Sequence, residues 1–437
     1  MRFFRLKRLP MATLFFVCSV AAATEQPLLT LEAATQKVTQ DNPDLAQMLA
    51  RAKAMAAIPS QEGSLPDPQI SFNAMSLPTN SFSTRQEDMT QLGFGLSQAI
   101  PFPGKLALRE QAAMYEAEAA TLNADELRLR LLSDVKTLWW QIFYLDRTQE
   151  IVDNNHHLLH QFVDIARSKY EVGEGLQQEV LLAQLELSKL LDQKINLTGM
   201  RRSTAAKLNA LLDQPANNPV QLPATLAIQL PEIRQEDRLY QQAETSRPLL
   251  ESERRGINAA QSKLELAQKE VLPDFNVEAA YGARNNMPDG TRRSDLLSLG
   301  VSMNVPIFAG SKQNKMIDQR NSELMQQRYA LQDRWNTVRS EITQSHSDYQ
   351  RAKQQFVLFD TGIIPQARQT VASMLAGYQV NKVDFLNLVR SQITLFEYET
   401  QYWKAFTEAQ QALAQLCANV AAMFDCACKN VNCTAFG

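Results

Sequence analysis

The chain has 437 residues, 45% of them hydrophobic, and only 15 glycines, a balance that favours helix and supplies ample core material. Its formal net charge of −3 excludes a nucleic-acid binder on electrostatic grounds. Beyond the first two dozen residues no apolar run is long enough to cross a bilayer as a helix.

Residues 1–23 read as a secretory signal peptide. Arg2, Arg5, Lys7 and Arg8 form its charged start, Met11 to Val20 its apolar centre, and Ala21-Ala22-Ala23 its cleavage site. Cys18 lies inside the apolar run, after Phe15-Phe16-Val17, so no lipid anchor is expected. Without this segment 40 basic side chains face 47 acidic ones, a net charge of about −7. An exported chain without a spanning helix can be embedded in a membrane only through strands.

Thr30 to about Glu62 is predicted helical, with a break at Asn42-Pro43. Leu65-Pro66-Asp67-Pro68 then leads into an alternating segment, Gln69 to Leu77, in which Ile70, Phe72 and Ala74 share one face. A polar loop, Pro78 to Thr90, separates it from a second alternating segment, Gln91 to Ile100. Alone, this pair reads first as the surface hairpin of a soluble protein. Each run is about 9–10 residues, close to the length a tilted strand needs to span a bilayer. Pro101-Phe102-Pro103-Gly104-Lys105 closes the segment. From Lys105 to Tyr170 neither proline nor glycine intervenes, which predicts a helix of roughly 100 Å. Val152, His156, Leu159, Val163, Ala166 and Tyr170 lie on a heptad seam. Glu171 to Gly175 breaks the helix, Leu176 to Leu212 resumes it, and a segment with Pro215, Pro219, Pro223 and Pro231 follows.

The pattern then starts again. Gln235 to Val271 is predicted helical, Phe275 to Gly282 and Leu297 to Val305 alternate, Lys312 to Tyr378 is predicted as one long helix, and Val383 to Phe424 as the last. Leu272-Pro273-Asp274 repeats Leu65-Pro66-Asp67 at an offset of 207, and Tyr378-Gln379-Val380 mirrors Tyr170-Glu171-Val172 at 208. Pro43 and Pro248 correspond at 205. Such near-constant offsets indicate an internal duplication. The expected organisation is a signal peptide (1–23), a first repeat (24–213), a Pro-rich crossover (214–234), a second repeat (235–424) and a Cys-containing tail (425–437).

The fold class that follows is mainly α with a small β part. Long antiparallel helices form a coiled-coil tunnel, with four strands per chain. Four strands cannot close a barrel, and an open edge is not tolerated in lipid. Three chains would supply a shared 12-stranded transmembrane β-barrel. Its lumen would be lined by Gln91, Gly93, Ser97, Asn276, Glu278, Ser298 and Asn304; the plainer reading of these residues is a solvated sheet surface.

Two copies of helix, strand, strand and long helix, joined by a Pro-rich crossover, resemble the outer-membrane efflux channel family typified by TolC, over residues 28–424. Within it, Gln98-Ala99-Ile100-Pro101-Phe102-Pro103-Gly104-Lys105-Leu106, with Arg109, is most similar to the heavy-metal branch of the CusC and CzcC kind. The resemblance implies a homotrimer in outer-membrane lipid, a periplasmic helical tunnel, and docking to a periplasmic adaptor and an inner-membrane pump of the RND type. It implies adaptor contact at Val172, Gly173, Glu174 and Gly175 and at Val380, Asn381, Lys382 and Val383. It also implies a gate just beyond the second turn. There Asn387 and Arg390 stand where relatives often have aspartates, so Glu179 and Asp384 become the candidate gate acids. Their alternative is ordinary acids at helix starts, favoured by the helix dipole. The second turn lacks the glycine of the first, so the two tips need not be equivalent.

No catalytic constellation or cofactor motif is present. His156 and His160 are spaced as a metal pair on one helical face, or as ordinary helix surface. Cys417, Cys426, Cys428 and Cys433 allow a structural disulfide, thiolate capture of a metal by the last three, or an incidental tail. The expected function is a passive duct exporting metal cations. The rivals are the same duct serving drug or protein export, and a soluble periplasmic coiled-coil scaffold.

Overall fold

The computed structural model describes residues 28–226 and 228–421. The signal-peptide residues and Cys426, Cys428 and Cys433 lie outside the described residues. Helices α1 (Leu31–Asp41), α2 (Pro43–Ala56) and α3 (Ile58–Gly63) precede strands β1 (Gln69–Met75) and β2 (Gln91–Ile100). Then come α4 (Lys105–Glu171) and α5 (Gln177–Leu211). The second half repeats the order with α6 (Glu236–Ser246), α7 (Pro248–Lys269), β3 (Phe275–Ala283), β4 (Leu296–Met303), α8 (Gln313–Leu358), α9 (Ile364–Gln379) and α10 (Phe385–Asn419).

Two prolines set matching breaks. Asn42 caps α2 by accepting from the Leu45 N–H, with Pro43 in the first turn, where its missing N–H costs nothing. The Asn42 amide donates to the Leu211 carbonyl, 2.9 Å away at the end of α5. In the second half Arg247 precedes Pro248 and reaches the Asn419 carbonyl at the end of α10. Arg247 is buried and also pairs with Glu126 at 3.1 Å and Glu341 at 3.0 Å. Each break thus clamps a shorter helix end to end with its successor along a long helix.

The predicted second rod is not one helix. Phe359–Ile363 forms a π-helical turn between α8 and α9. Pro365 is the cause: in a regular helix its ring would strike the carbonyl four residues back. The turn also accommodates one additional residue. Leu131, Val135, Ile142 and Leu145 of α4 correspond at 207 to Val338, Ile342, Tyr349 and Ala352 of α8, and all eight are buried. Beyond the turn the offset is 208, as at Tyr170 and Tyr378.

Near the strands the helices lie side by side as α2–α3, α4, α7 and α8; toward the tip the order is α5, α4, α10 and α8–α9. Because α4 lies between two neighbours, its buried line runs Val152, Asn155, Leu159, Phe162 and Ala166, while His156 and Val163 are half-buried and Tyr170 exposed. Asn155 is admitted to this line because Gln392 of α10 donates to its side-chain oxygen at 2.7 Å. An aromatic cluster of Trp139, Trp140, Phe143, Trp403 and Phe406 fixes α4 to α10 midway along. The outer edges of the array are uncovered. Leu181, Leu185, Leu191 and Ile195 are exposed on α5, and Val357 and Leu358 on α8.

The four strands form one antiparallel sheet in the order β1-β2-β3-β4, so β1 and β4 are open edges. Two strands are shorter than predicted. β1 stops at Met75 because Ser76 takes a positive φ of 54°. β4 stops at Met303, short of Pro306, which has no N–H for a ladder. The Asn304 side chain accepts the Asp274 N–H instead.

Candidate functional site in the strand wall and the helical tip

The sheet register sorts every strand side chain. Gln69–Ser97, Ser71–Gly95, Asn73–Gly93 and Met75–Gln91 pair across the first hairpin. Ser97 continues to Glu278 and Ala99 to Asn276, and Asn276 continues to Ser302 and Ala280 to Ser298. One face therefore carries Gln91, Gly93, Ser97, Asn276, Glu278 and Ser298 together. Asn304, one residue past β4, caps the base of the sheet. Two glycines leave room for the long amides on this face: a Cβ at Gly93 would lie 1.9 Å from the Asn73 side-chain oxygen, and one at Gly282 2.3 Å from that of Gln91.

The opposite face holds Ile70, Phe72, Leu92, Phe94, Leu96, Val277, Tyr281, Leu297, Leu299 and Val301. Apart from Gln98 at the helical end, which donates to the Pro66 carbonyl, it is apolar, and it is uncovered, with Phe72 80% and Leu299 77% exposed. A soluble sheet does not leave such an area in water. Arg293 fastens the two hairpin loops at one end of the wall by donating to the Thr84 carbonyl at 3.0 Å.

At the other end the wall meets the helices. Gly104 has a φ of 89°, which lets the chain turn sharply into α4. The next residue, Lys105, is fully buried. Its ammonium donates to Asp274 at 2.9 Å, to Glu270 at 3.1 Å and to the Leu272 carbonyl at 3.0 Å. Asp274 also accepts the Phe102 N–H at 2.8 Å, and Arg109 reaches Glu270 at 3.3 Å. Burial works against the Asp274 charge, but Lys105, the Phe102 N–H and Arg109 outweigh it and hold the carboxyl below its ordinary value. The Pro101-to-Arg109 segment singled out in the sequence is thus a charged joint between the two repeats.

The far end carries the predicted gate. Gly173 and Asn381 both adopt the left-handed conformation, with φ of 79° and 56°. The N–H groups of Glu174 and Lys382 bond back to the carbonyls of Lys169 and Gly377. The two turns are therefore the same backbone structure, asparagine replacing glycine in the second. The Tyr378 hydroxyl donates to Glu179 at 3.2 Å. Lys169 donates to the Tyr378 carbonyl at 2.8 Å and to the Asn381 side chain, and its ammonium lies 4.4 Å from the Tyr378 ring centre. Burial, reinforced by Glu179, pushes the Tyr378 phenol well up, so it remains a donor. Asp384 instead caps α10, accepting the Asn387 N–H at 3.0 Å and the Asn387 amide at 2.9 Å. Arg390 is exposed beyond them. The structure thus brings Glu179 to the second repeat and joins Asp384 to Asn387. Sequence reading missed Tyr378 and Lys169 as partners, although Tyr378 had been marked by its repetition of Tyr170.

Val172, Glu174, Gly175, Val380 and Lys382 are exposed or half-exposed at the tip, with Val383 half-buried. The His156 and His160 rings lie 4.6 Å apart, and burial together with the neighbouring histidines lowers the His156 pKa. Among the described residues no three His, Cys, Asp or Glu side chains gather as a metal site. Cys417 is disulfide-bonded.

A family model described as "Outer membrane efflux protein" matches residues 34–214 and again 239–421. The chain belongs to the outer membrane efflux protein family. The two matched stretches coincide with the two halves of the fold. "Outer membrane efflux protein BepC" of Brucella suis biovar 1 is 24% identical over 66% of this chain; the match spans 60% of BepC's length. "Cobalt-zinc-cadmium resistance protein CzcC" of Cupriavidus metallidurans is 21% identical over 88% of each chain. Solved structures share the fold. VceC of Vibrio cholerae superposes with a TM-score of 0.75 at 17% identity, covering 89% of this chain and 95% of that one. CusC superposes at 0.73 and 14%, covering 89% and 91%. Membership places the sheet in the outer membrane, as a third of a trimeric 12-stranded barrel, and the helices in the periplasm. The family's channels are ducts without enzymatic activity.

Proposed function

We propose that three copies of this chain form the passive exit duct of a tripartite efflux system and that its cargo is metal cations. The observation that carries the duct is the sheet: one face apolar but for Gln98 at its base, one small and polar face, and two open edges. The apolar face fits lipid, and the polar face a water-filled lumen lined by Gln91, Ser97, Asn276, Glu278, Ser298 and Asn304. Partners are a periplasmic adaptor and an inner-membrane pump of the RND type, the adaptor resting on Val172 to Gly175 and Val380 to Val383. Glu179 and Asp384, with Asn387 and Arg390 behind, guard the tip.

Support for metal cargo comes from the Pro101-to-Arg109 segment, the similarity to CzcC along most of the chain, and a lumen whose strands carry one carboxylate and no cation. A strain lacking this gene tests it. Hypersensitivity to cobalt, zinc, cadmium or copper salts is expected, reversed by the gene on a plasmid. Sensitivity to drugs or detergents alone would instead assign the duct to drug efflux, a reading favoured by the similarity to BepC. Loss of a secreted protein, with neither sensitivity, would assign it to protein export.

A further inference from the structure

The chain already contains one copy of the joint needed to close the barrel. Inside it the second strand of one repeat, β2, pairs with the first strand of the other, β3, and Lys105 pairs with Asp274 beneath them. Closure requires the remaining second strand, β4, to pair with the remaining first strand, β1, and both edges are open.

The duplication fixes how they meet. Pro66-Asp67 maps onto Pro273-Asp274 at 207, and Ile100-Pro101 onto Val305-Pro306 at 205. The observed hairpins agree: shifting Phe72–Phe94 by these offsets gives Ala279–Leu299, a pair seen in the second hairpin. Applying the same offsets to the internal β2–β3 register sets Ser302 opposite Ser71 and Val301 opposite Phe72. This register keeps both faces intact, polar on polar and apolar on apolar; a slip of one residue would put Phe72 in the lumen. At the base, Lys105 maps onto Lys312 and Asp274 onto Asp67, both at 207. Lys312 and Asp67 are exposed, and among the described residues neither forms an ion pair.

We propose that adjacent copies of this chain join β4 to β1 in the register Ser302–Ser71 and Val301–Phe72, locked by an ion pair between Lys312 of one copy and Asp67 of the next. The occupant of both open edges is thus a second copy, met through the image of the internal joint. Glu270 has no image, because residue 63 is glycine, so the joint between copies has one fewer acid than the joint within a chain. This proposal rests on the trimeric reading above.

Cysteine cross-linking in isolated outer membranes tests the register. S71C/S302C and F72C/V301C are both needed, because only one of two adjacent cross-strand pairs has the closer spacing suited to a disulfide. At least one should give covalent trimers on non-reducing gels, several-fold more than the slipped pair S71C/G300C. If the slipped pair links better, or neither matched pair links in a protein that is trimeric by native mass, the register is wrong. If the wild-type protein is not trimeric, the duct reading itself fails. D67K and K312D should each lower the temperature at which the trimer dissociates, and the D67K/K312D swap should restore it. Equal loss in the swap would remove the ion pair.

Discussion

Tyr378 and Glu179 come from different repeats and meet at the helical tip, where one hydrogen bond ties the start of α5 to the end of α9. A hydrogen bond to a charged group contributes about 1.5–3 kcal/mol. Tyr378→Phe and Glu179→Ala should therefore open the tip more often in planar bilayers, raising mean conductance while the trimer stays intact. Asp384→Asn retains an N-cap acceptor and should change conductance little. Conductance of Tyr378→Phe equal to wild type would remove the latch. The raised phenol pKa means the neutral, donating form persists through mildly alkaline pH, so alkali at pH 8–9 should not mimic Tyr378→Phe. At this scale the sequence was least informative. Nothing local in Gly104-Lys105 marks a lysine that will be fully buried, since a cation at a helix start opposes the helix dipole. Its partners, Glu270 and Asp274, lie some 165 residues away and become visible only once the repeats are superposed.

Among the elements, the π-helical turn at Phe359–Ile363 separates two registers of one seam. Removing Gly362 in a Pro365→Ala background should convert it to regular helix and leave Val338 to Ala352 above, and Val371 and Tyr378 below, on their original lines. Removing Gln354 instead rotates everything beyond it by one residue, about 100°, and turns Val371 and Tyr378 out of the seam. Heat-resistant trimer on gels should survive the first deletion and be lost in the second. Trimer lost in both would mean that the turn itself is required. The elements were largely legible because their signals are periodic and long. Lys105–Glu171 is uninterrupted, and β2 spans the alternating run Gln91–Ile100. The break in the second rod was missed because helical periodicity passes through it; Pro365 was the available signal. The seam on α4 was read correctly at Val152, Leu159 and Ala166 but one position away at His156 and Val163, because periodicity reports a face, not which of two neighbours covers it.

For the molecule as a whole, the two sheet faces make opposite demands on charge. Leu299→Lys puts an ammonium on the lipid face, at a cost of about 2–4 kcal/mol near the bilayer centre. It should abolish recovery of trimer from the outer membrane. Ser298→Lys, the next residue, faces the polar side; trimer should be recovered and its preference for cations over anions reduced. Equal recovery of both variants would contradict the assignment of faces. The wall was readable from alternation, and the need for several chains from counting strands. The cargo was not, because a water-filled duct lined by serine, glycine and amides carries few contacts that distinguish one solute from another.

The open edges have a genetic consequence. Every chain supplies both halves of the joints it makes, so one altered chain spoils a barrel of three. In a cell making wild-type and edge-altered copies equally, random assembly leaves only about one barrel in eight fully wild type. An allele damaged at β1 or β4, yet still able to assemble through its helices, is therefore expected to be dominant. One that never folds is expected to be recessive, because it stays out of the ring.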